Sequence, residues 1–333
     1  MSSLNPPENK GQSVVHPTRK RGIRRKLGTF YSRFIFRYWR AVDSLAGANL
    51  VSWFMSPILL VDLLSRLEDF PHFIRYRSLL PKDFWKGCTP WVHYFRMTRD
   101  WDEFLVLSSF GDRLGLPYWK KRLTLRGEPL QTRPDWEKRP VILAFLHTGP
   151  YLLIRLWIRS LGIKAAAYVG TIPSVLDNEY YQKILEEADK KYDLADVPHT
   201  FRGVDELMKA VRFLKPGRVL TIALEGGYSY TNDDCREIEG IPIFLKDGVC
   251  HMAAKTNAII IPTSIHRTES CRYELRLGKQ VPDALIRTGN FGGAMDHLLT
   301  ELWTDLKSNP SDLTWSALEA LNPKMVKERA AWP

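Results

Sequence analysis

Downstream of Pro134 the chain alternates short apolar runs with longer amphipathic ones. Residues 141–147 (VILAFLH), 164–170 (KAAAYVG), 218–225 (RVLTIALE) and 258–267 (AIIIPTSIHR) are apolar and bounded by turn residues, which is the pattern of strands buried on both faces. Residues 271–278 (CRYELRLG) alternate polar and apolar positions and predict an edge strand. Between these runs, residues 151–161, 178–192, 204–214 and 248–257 predict helices, the third ending before Pro216 and Gly217. Strands alternating with helices predict an α/β fold with a mostly parallel sheet flanked by helices. Such a sheet binds ligands beyond the carboxyl ends of its strands. His147 and Glu225 both close predicted strands, so the architecture places them in one crevice.

The N-terminal third has a different texture. Residues 1–22 are rich in Pro, Ser, Asn and basic residues without apolar periodicity, and predict a flexible basic arm. Residues 24–45 (RRKLGTFYSRFIFRYWRAVDSL) interleave Arg24, Arg25, Lys26, Arg33, Arg37 and Arg40 with Phe30, Tyr31, Phe34, Phe36, Tyr38 and Trp39. A helix lying in a membrane interface has this composition. Residues 44–61 follow with eighteen positions free of charge, at the lower edge of spanning length and interrupted by Gly47, Asn49, Ser52, Ser56 and Pro57. The positive charge before this run predicts a cytoplasmic N-terminal side, and a full crossing would carry the downstream domain to the far side. A monotopic or re-entrant insertion keeps that domain with cytosolic substrates; a core helix pair is the competing reading of so short a run. No cleaved signal peptide is expected, because the apolar run starts late and no small-residue cleavage site follows it. Residues 65–134, dense in Trp and Phe and broken by Pro71, Pro81, Pro90 and Pro117, read as a helical lead-in. The expected division is therefore 1–22 arm, 23–64 membrane-binding segment, 65–134 helical lead-in and 135–325 catalytic α/β domain.

Charge sharpens this picture. The formal net charge is +11, and ten Lys or Arg fall within the first 40 residues, with Glu8 as the only acid. Such asymmetry calls for an anionic partner: membrane lipid, nucleic acid or an acidic protein. No RNP-like, helix-turn-helix or zinc-finger pattern accompanies it, so nucleic acid ranks below membrane lipid. The four cysteines (Cys88, Cys235, Cys250 and Cys271) have no paired spacing, which indicates neither a disulfide framework nor a zinc site and fits a reducing cytosolic setting. Cys250 and His251 are adjacent on a predicted helix and point to different faces, against a shared metal. The chain has no GxSxG elbow, P-loop or GxGxxG fingerprint, which disfavours serine hydrolysis and nucleotide chemistry.

The candidate chemistry begins at VILAFLHTGPYLL. His147 ends the strand run, Gly149 permits close backbone approach and Pro150 suits the first turn of a helix. The imidazole is then expected beside helix N-terminal amides near Gly149 to Tyr151, a place that favours a developing oxyanion or a phosphate. A base beside an oxyanion site is the equipment of acyl transfer. A hydrogen-bonded structural histidine is the alternative for this position taken alone.

Three blocks in order, VILAFLHTGPYLL, LKPGRVLTIALEGGYSY and GIPIFLKDGVCHMAAKTNAIIIPTSIHR followed by YELRLGKQV, resemble the bacterial lipid A biosynthesis lauroyl/myristoyl acyltransferase family, within the lysophospholipid acyltransferase-like superfamily. The resemblance runs from about residue 126 to 282, and more loosely through the N-terminal segment. It implies a membrane-associated α/β enzyme at the cytoplasmic face of the inner membrane. Such an enzyme moves a fatty acyl group from acyl carrier protein or coenzyme A to a lipid-like acceptor, with no metal and no cofactor beyond the acyl donor. His147 matches the histidine of the family's His-x4-Asp/Glu motif, but position 152, where the acid should stand, is Leu152. That acid fixes the histidine tautomer and stabilises imidazolium. Glu225 matches a position where relatives carry an acid at the end of a later strand and is the nearest replacement; Asp177 and Glu179 rank below it. Gly226 and Gly227 would let substrate approach the backbone. Gly248 and the helix start after it resemble the segment lining the family's acyl or phosphate crevice, Lys246 beside it is a candidate phosphate partner, and so is Arg202, before a helix. Plain readings exist beside these: a turn carboxylate for Glu225, a solvated lysine for Lys246 and a surface arginine for Arg202. The Leu152 departure also keeps open a catalytically silent, lipid-binding member of the family.

Overall fold

The computed structural model of the chain describes residues 70–109, 116–169, 200–202, 206–225, 234–269 and 272–321, together with Leu67. The expected arm, the whole of the membrane-binding segment, the 178–192 helix, Asp177, Glu179, Gly226 and Gly227 lie outside the described residues. Among the described residues no helix is long and apolar enough to cross a membrane.

Two helices, α1 (Phe70–Arg77) and α2 (Pro90–Ser109), lead into α3 (Leu116–Arg122) and the first strand, β1 (Leu123–Arg126). The alternation that follows runs β2 (Val141–Phe145), α4 (Leu152–Ser160), β3 (Lys164–Val169), β4 (Thr200–Arg202), α5 (Leu207–Phe213) and β5 (Arg218–Ala223). A hairpin of β6 (Cys235–Ile238) and β7 (Ile241–Phe244) precedes α6 (Gly248–Thr256), β8 (Ile259–Glu269) and β9 (Arg272–Leu277). Helices α7 (Asp283–Arg287), α8 (Phe291–Ser308) and α9 (Trp315–Leu321) complete the described chain. Seven strands form one sheet in the order β1-β9-β8-β2-β5-β3-β4. Every neighbouring pair is parallel except β8 with β9. The fold is therefore α/β with a mostly parallel sheet flanked by helices.

The period-2 geometry of a strand sorts the core into two layers. On β2, all of whose residues are buried, Ile142 and Ala144 face one cluster with Leu220, Ile260 and the apolar sides of α6, α8 and α9. Val141, Leu143 and Phe145 face the other cluster, with Val219, Ile261 and the α4 residues Leu153, Ile154, Trp157 and Ile158. Every α4 residue from Leu153 to Ser160 is buried, because the helix covers the sheet on one side and is itself covered by α2 and α3.

Two expectations are corrected. Residues 272–277 are not an edge: β9 lies between β8 and β1. Two of its polar positions are ion-paired, Glu274 with Arg126 at 2.8 Å and Arg276 with Glu301 at 2.9 Å and Asp305 at 2.7 Å. The alternation therefore reports an ion-paired, half-buried face. The edge on that side is β1, inside the stretch read as helical, whose residues Leu123 to Arg126 pair in parallel with Tyr273 to Arg276.

Candidate active site

His147 stands two residues beyond the end of β2, and Glu225 two residues beyond the end of β5, the strand hydrogen-bonded beside it. Parallel pairing in register from Val141↔Val219 to Phe145↔Ala223 brings the two positions level. The Leu224 N–H donates to Phe145 O at 2.9 Å and continues the ladder past the strand ends. The His147 N–H donates to Glu225 Oε1 at 2.7 Å. Glu225 Oε2 lies 3.3 Å from His147 Nδ1, close enough for an ion pair though not aligned as a hydrogen bond. The Glu225 side chain is only 2% exposed and the His147 side chain 14%. Nδ1 itself is buried, so the exposure belongs to the rest of the ring. Tyr151 packs edge-on against the imidazole, with centroids 4.6 Å apart, and stacks on Phe145. The sheet thus brings together the two residues that the sequence nominated from strand ends, 78 positions apart.

The other side of the His147 loop is held by a segment absent from the sequence reading. Residues 312–314, between a short 3-10 turn (Pro310–Asp312) and α9, run along the loop as a strap. Gly149 N–H donates to Asp312 O at 2.6 Å, Thr148 bridges Leu313 in antiparallel fashion, and Thr314 donates to His147 O from its N–H at 3.1 Å and from its hydroxyl. Gly149 has φ of +54°, and a Cβ there would stand 2.5 Å from Ile265 O. The position requires glycine on both counts.

This strap engages one of the amides expected between Gly149 and Tyr151. The Gly149 N–H is engaged by Asp312, Pro150 has none, and those of Leu153 and Ile154 close turns onto Pro150 O and Tyr151 O. Leu152, at the first helical position, has a backbone N–H with no acceptor among the described residues.

Two buried histidines tie the strap down. His266 Nδ1, on β8, lies 2.7 Å from Asp312 Oδ2, with both side chains under a tenth exposed. His93 Nε2, on α2, lies 2.6 Å from Leu313 O, and its Nδ1 lies 3.0 Å from Arg77 Nη1. A carbonyl only accepts and a guanidinium only donates, so His93 is the neutral Nε2–H tautomer. Burial above all, aided by Arg77 and Arg96, pushes its pKa down to about 3. His266, Asp312, His93 and Thr314 carry no motif; only the fold assembles them.

The remaining nominated residues are dispersed. Lys246 N–H donates to Leu224 O at 2.9 Å, so its backbone borders the Glu225 turn, while its ammonium pairs with Asp234 at 2.6 Å. Gly248 opens α6 with open space where a Cβ would stand. Arg202 ends β4 at the sheet margin, three strands from β2 and so roughly 14 Å away at ordinary strand spacing; its side chain lies outside the described residues. The fold does not bring it to His147. Cys250 is buried and His251 exposed, on different faces of α6. Among the described residues no three His, Cys, Asp or Glu side chains gather as metal ligands would. The chain matches no protein-family model and no curated protein.

Proposed function

We propose that the protein is a membrane-associated acyltransferase. It transfers a fatty acyl group from an acyl thioester, on acyl carrier protein or coenzyme A, to a hydroxyl or amine of a lipid-like acceptor at the cytoplasmic face of the inner membrane. The observation that carries this reading is the buried Glu225 carboxylate set against the His147 imidazole at the carboxyl ends of adjacent parallel strands. An ionised Glu225 favours the Nδ1–H tautomer and leaves the Nε2 lone pair as the base. Nε2 takes the acceptor proton as the acceptor oxygen or nitrogen attacks the thioester carbonyl. The tetrahedral intermediate then collapses with cleavage of the C–S bond, and the imidazolium returns the proton to the departing thiolate. Glu225 supports the imidazolium in place of the motif acid that Leu152 lacks. With the Gly149 amide occupied, the Leu152 N–H is the donor assigned to the oxyanion. Tyr151 packs against the imidazole, and the Lys246 backbone borders the Glu225 turn.

The test is acyl-thioester consumption by the full chain in mixed micelles, over a panel of lipid acceptors with both carriers, beside His147→Ala. Acceptor-dependent thioester loss that vanishes in the variant is the expected result. A second reading, a silent lipid-binding protein, is favoured by Leu152 and by the engaged Gly149 amide. Equal, background-level rates for folded, micelle-bound wild type and variant would establish it instead.

A further inference from the structure

Over residues 90–100 of α2, the buried side carries polar groups and the exposed side carries large apolar ones. At 100° per residue, Trp91, Phe95, Arg99, Val92 and Arg96 fall within one arc of about 140°. Trp91 is 53% exposed, Val92 45% and Phe95 37%. The opposite arc is buried and carries His93, Thr98 and Asp100 beside Tyr94. A helix facing only water has the reverse distribution. Trp91 is also stacked on Phe70 of α1 with centroids 3.7 Å apart, so the aromatic face is held rather than loose. Among the described residues, the exposed large hydrophobics are these three, Leu67 just upstream, and Met208 on α5. The exposed arc opens on a groove of about 520 Å³, whose far wall is the end of β8 at Arg267, Thr268 and Glu269.

We infer that this face of α2 is a docking surface for an anionic lipid bilayer. Trp and Phe seat at the boundary between headgroup and acyl chain, while arginines at the margin of the arc extend to the phosphates. Arg96 is exposed at that margin, with its Nη1 donating to the buried Ser311 hydroxyl. The charge-free run 44–61 ends six residues before Leu67, so the sequence expected to seek the membrane leads directly into this patch. The inference rests on the membrane-associated part of the proposed function and assigns a second contact, independent of residues 23–64. The groove lining carries both signs of charge, with Asp100, Glu269 and Asp312 beside its arginines and Arg267 paired to Asp100, which fits an acidic protein partner less well than a zwitterionic and anionic headgroup layer.

The full chain is sedimented with phosphatidylcholine vesicles with and without phosphatidylglycerol, comparing wild type, Val92→Gln/Phe95→Gln and, as a control on a remote exposed hydrophobic, Met208→Gln. Vesicle affinity is expected to fall about tenfold in the α2 variant, from the apolar area withheld from the bilayer, and to stay at the wild-type level in the control. Hydroxyl-radical footprinting of the wild type supplies a reading that does not depend on how a variant folds: oxidation of Trp91 and Phe95 is expected to drop several-fold when vesicles are added. Wild-type binding with unchanged oxidation at Trp91 and Phe95 and an unaffected variant would overturn the docking surface while leaving membrane association standing. Low oxidation without vesicles would assign the face to the chain's own N-terminal segment or to a protein partner. No vesicle binding by wild type would overturn both this surface and the membrane part of the proposed function.

Discussion

At the scale of residues, the account turns on what Glu225 does for His147. Its carboxylate has two jobs: accepting the His147 N–H and facing Nδ1. The substitutions Gln and Ala separate them. Glu225→Gln keeps an acceptor but loses the charge, so turnover is expected to fall about a hundredfold or more, toward the loss seen when a triad's acid is replaced by its amide, with a near wild-type urea midpoint. Glu225→Ala also leaves a backbone donor unpaired and is expected to lower stability by about 1–3 kcal/mol. Gly149→Ala is expected to destabilise by more than about 2 kcal/mol, from left-handed strain and from a Cβ directed at Ile265 O; an unchanged midpoint would show that the loop yields. His147 and Glu225 were legible in the sequence because strand ends in a parallel sheet share an edge. Asp312, Thr314 and His266 were not legible, because contacts across 46 to 167 positions without a motif leave no local pattern.

At the scale of elements, the strap makes loop geometry depend on a neutral, buried histidine. In the unfolded chain His93 takes up a proton near pH 6.5, and in the folded chain only near pH 3. Between those values the unfolded state binds more protons. His93 therefore contributes a loss of stability as pH falls through this window, at up to about 1.4 kcal/mol per pH unit. His93→Gln is expected to be less stable at neutral pH and to show a flatter acid limb in denaturant titrations; an unchanged slope would mean that another group governs that limb. The elements themselves were unevenly readable. Continuous apolar runs marked β2, β3, β5 and β8, since burial on both faces removes polar positions. The strand β1 was concealed by its four-residue length and its position after Lys120, Lys121 and Arg122. Helix α8 had a usable signal that the reading passed over: Ala294, Met295, Leu298, Leu299, Leu302, Trp303 and Leu306 repeat at helical spacing, and the Asn290 side chain caps Gly293 N–H.

At the scale of the whole molecule, the sheet is packed between two layers, and one thiol reports on that packing. Cys250 is fully buried, and burial foremost, with Asp247 adding to it, pushes its thiol up to about 12. Alkylation at neutral pH is expected to label the part-exposed Cys88 and Cys235 in the native state and Cys250 only on unfolding. Native labelling of Cys250 at a comparable rate, read by mass spectrometry, would show that the layer formed by α6 opens locally. The central claim, that His147 and Glu225 act as one unit across two strands, is tested most directly by kcat/KM for wild type, His147→Ala, Glu225→Gln and the double variant in the acyl-thioester assay. The account predicts that the double variant is no slower than His147→Ala, because the carboxylate acts only through the imidazole. Single losses that multiply in the double variant, or a Glu225→Gln enzyme with wild-type activity, would contradict it.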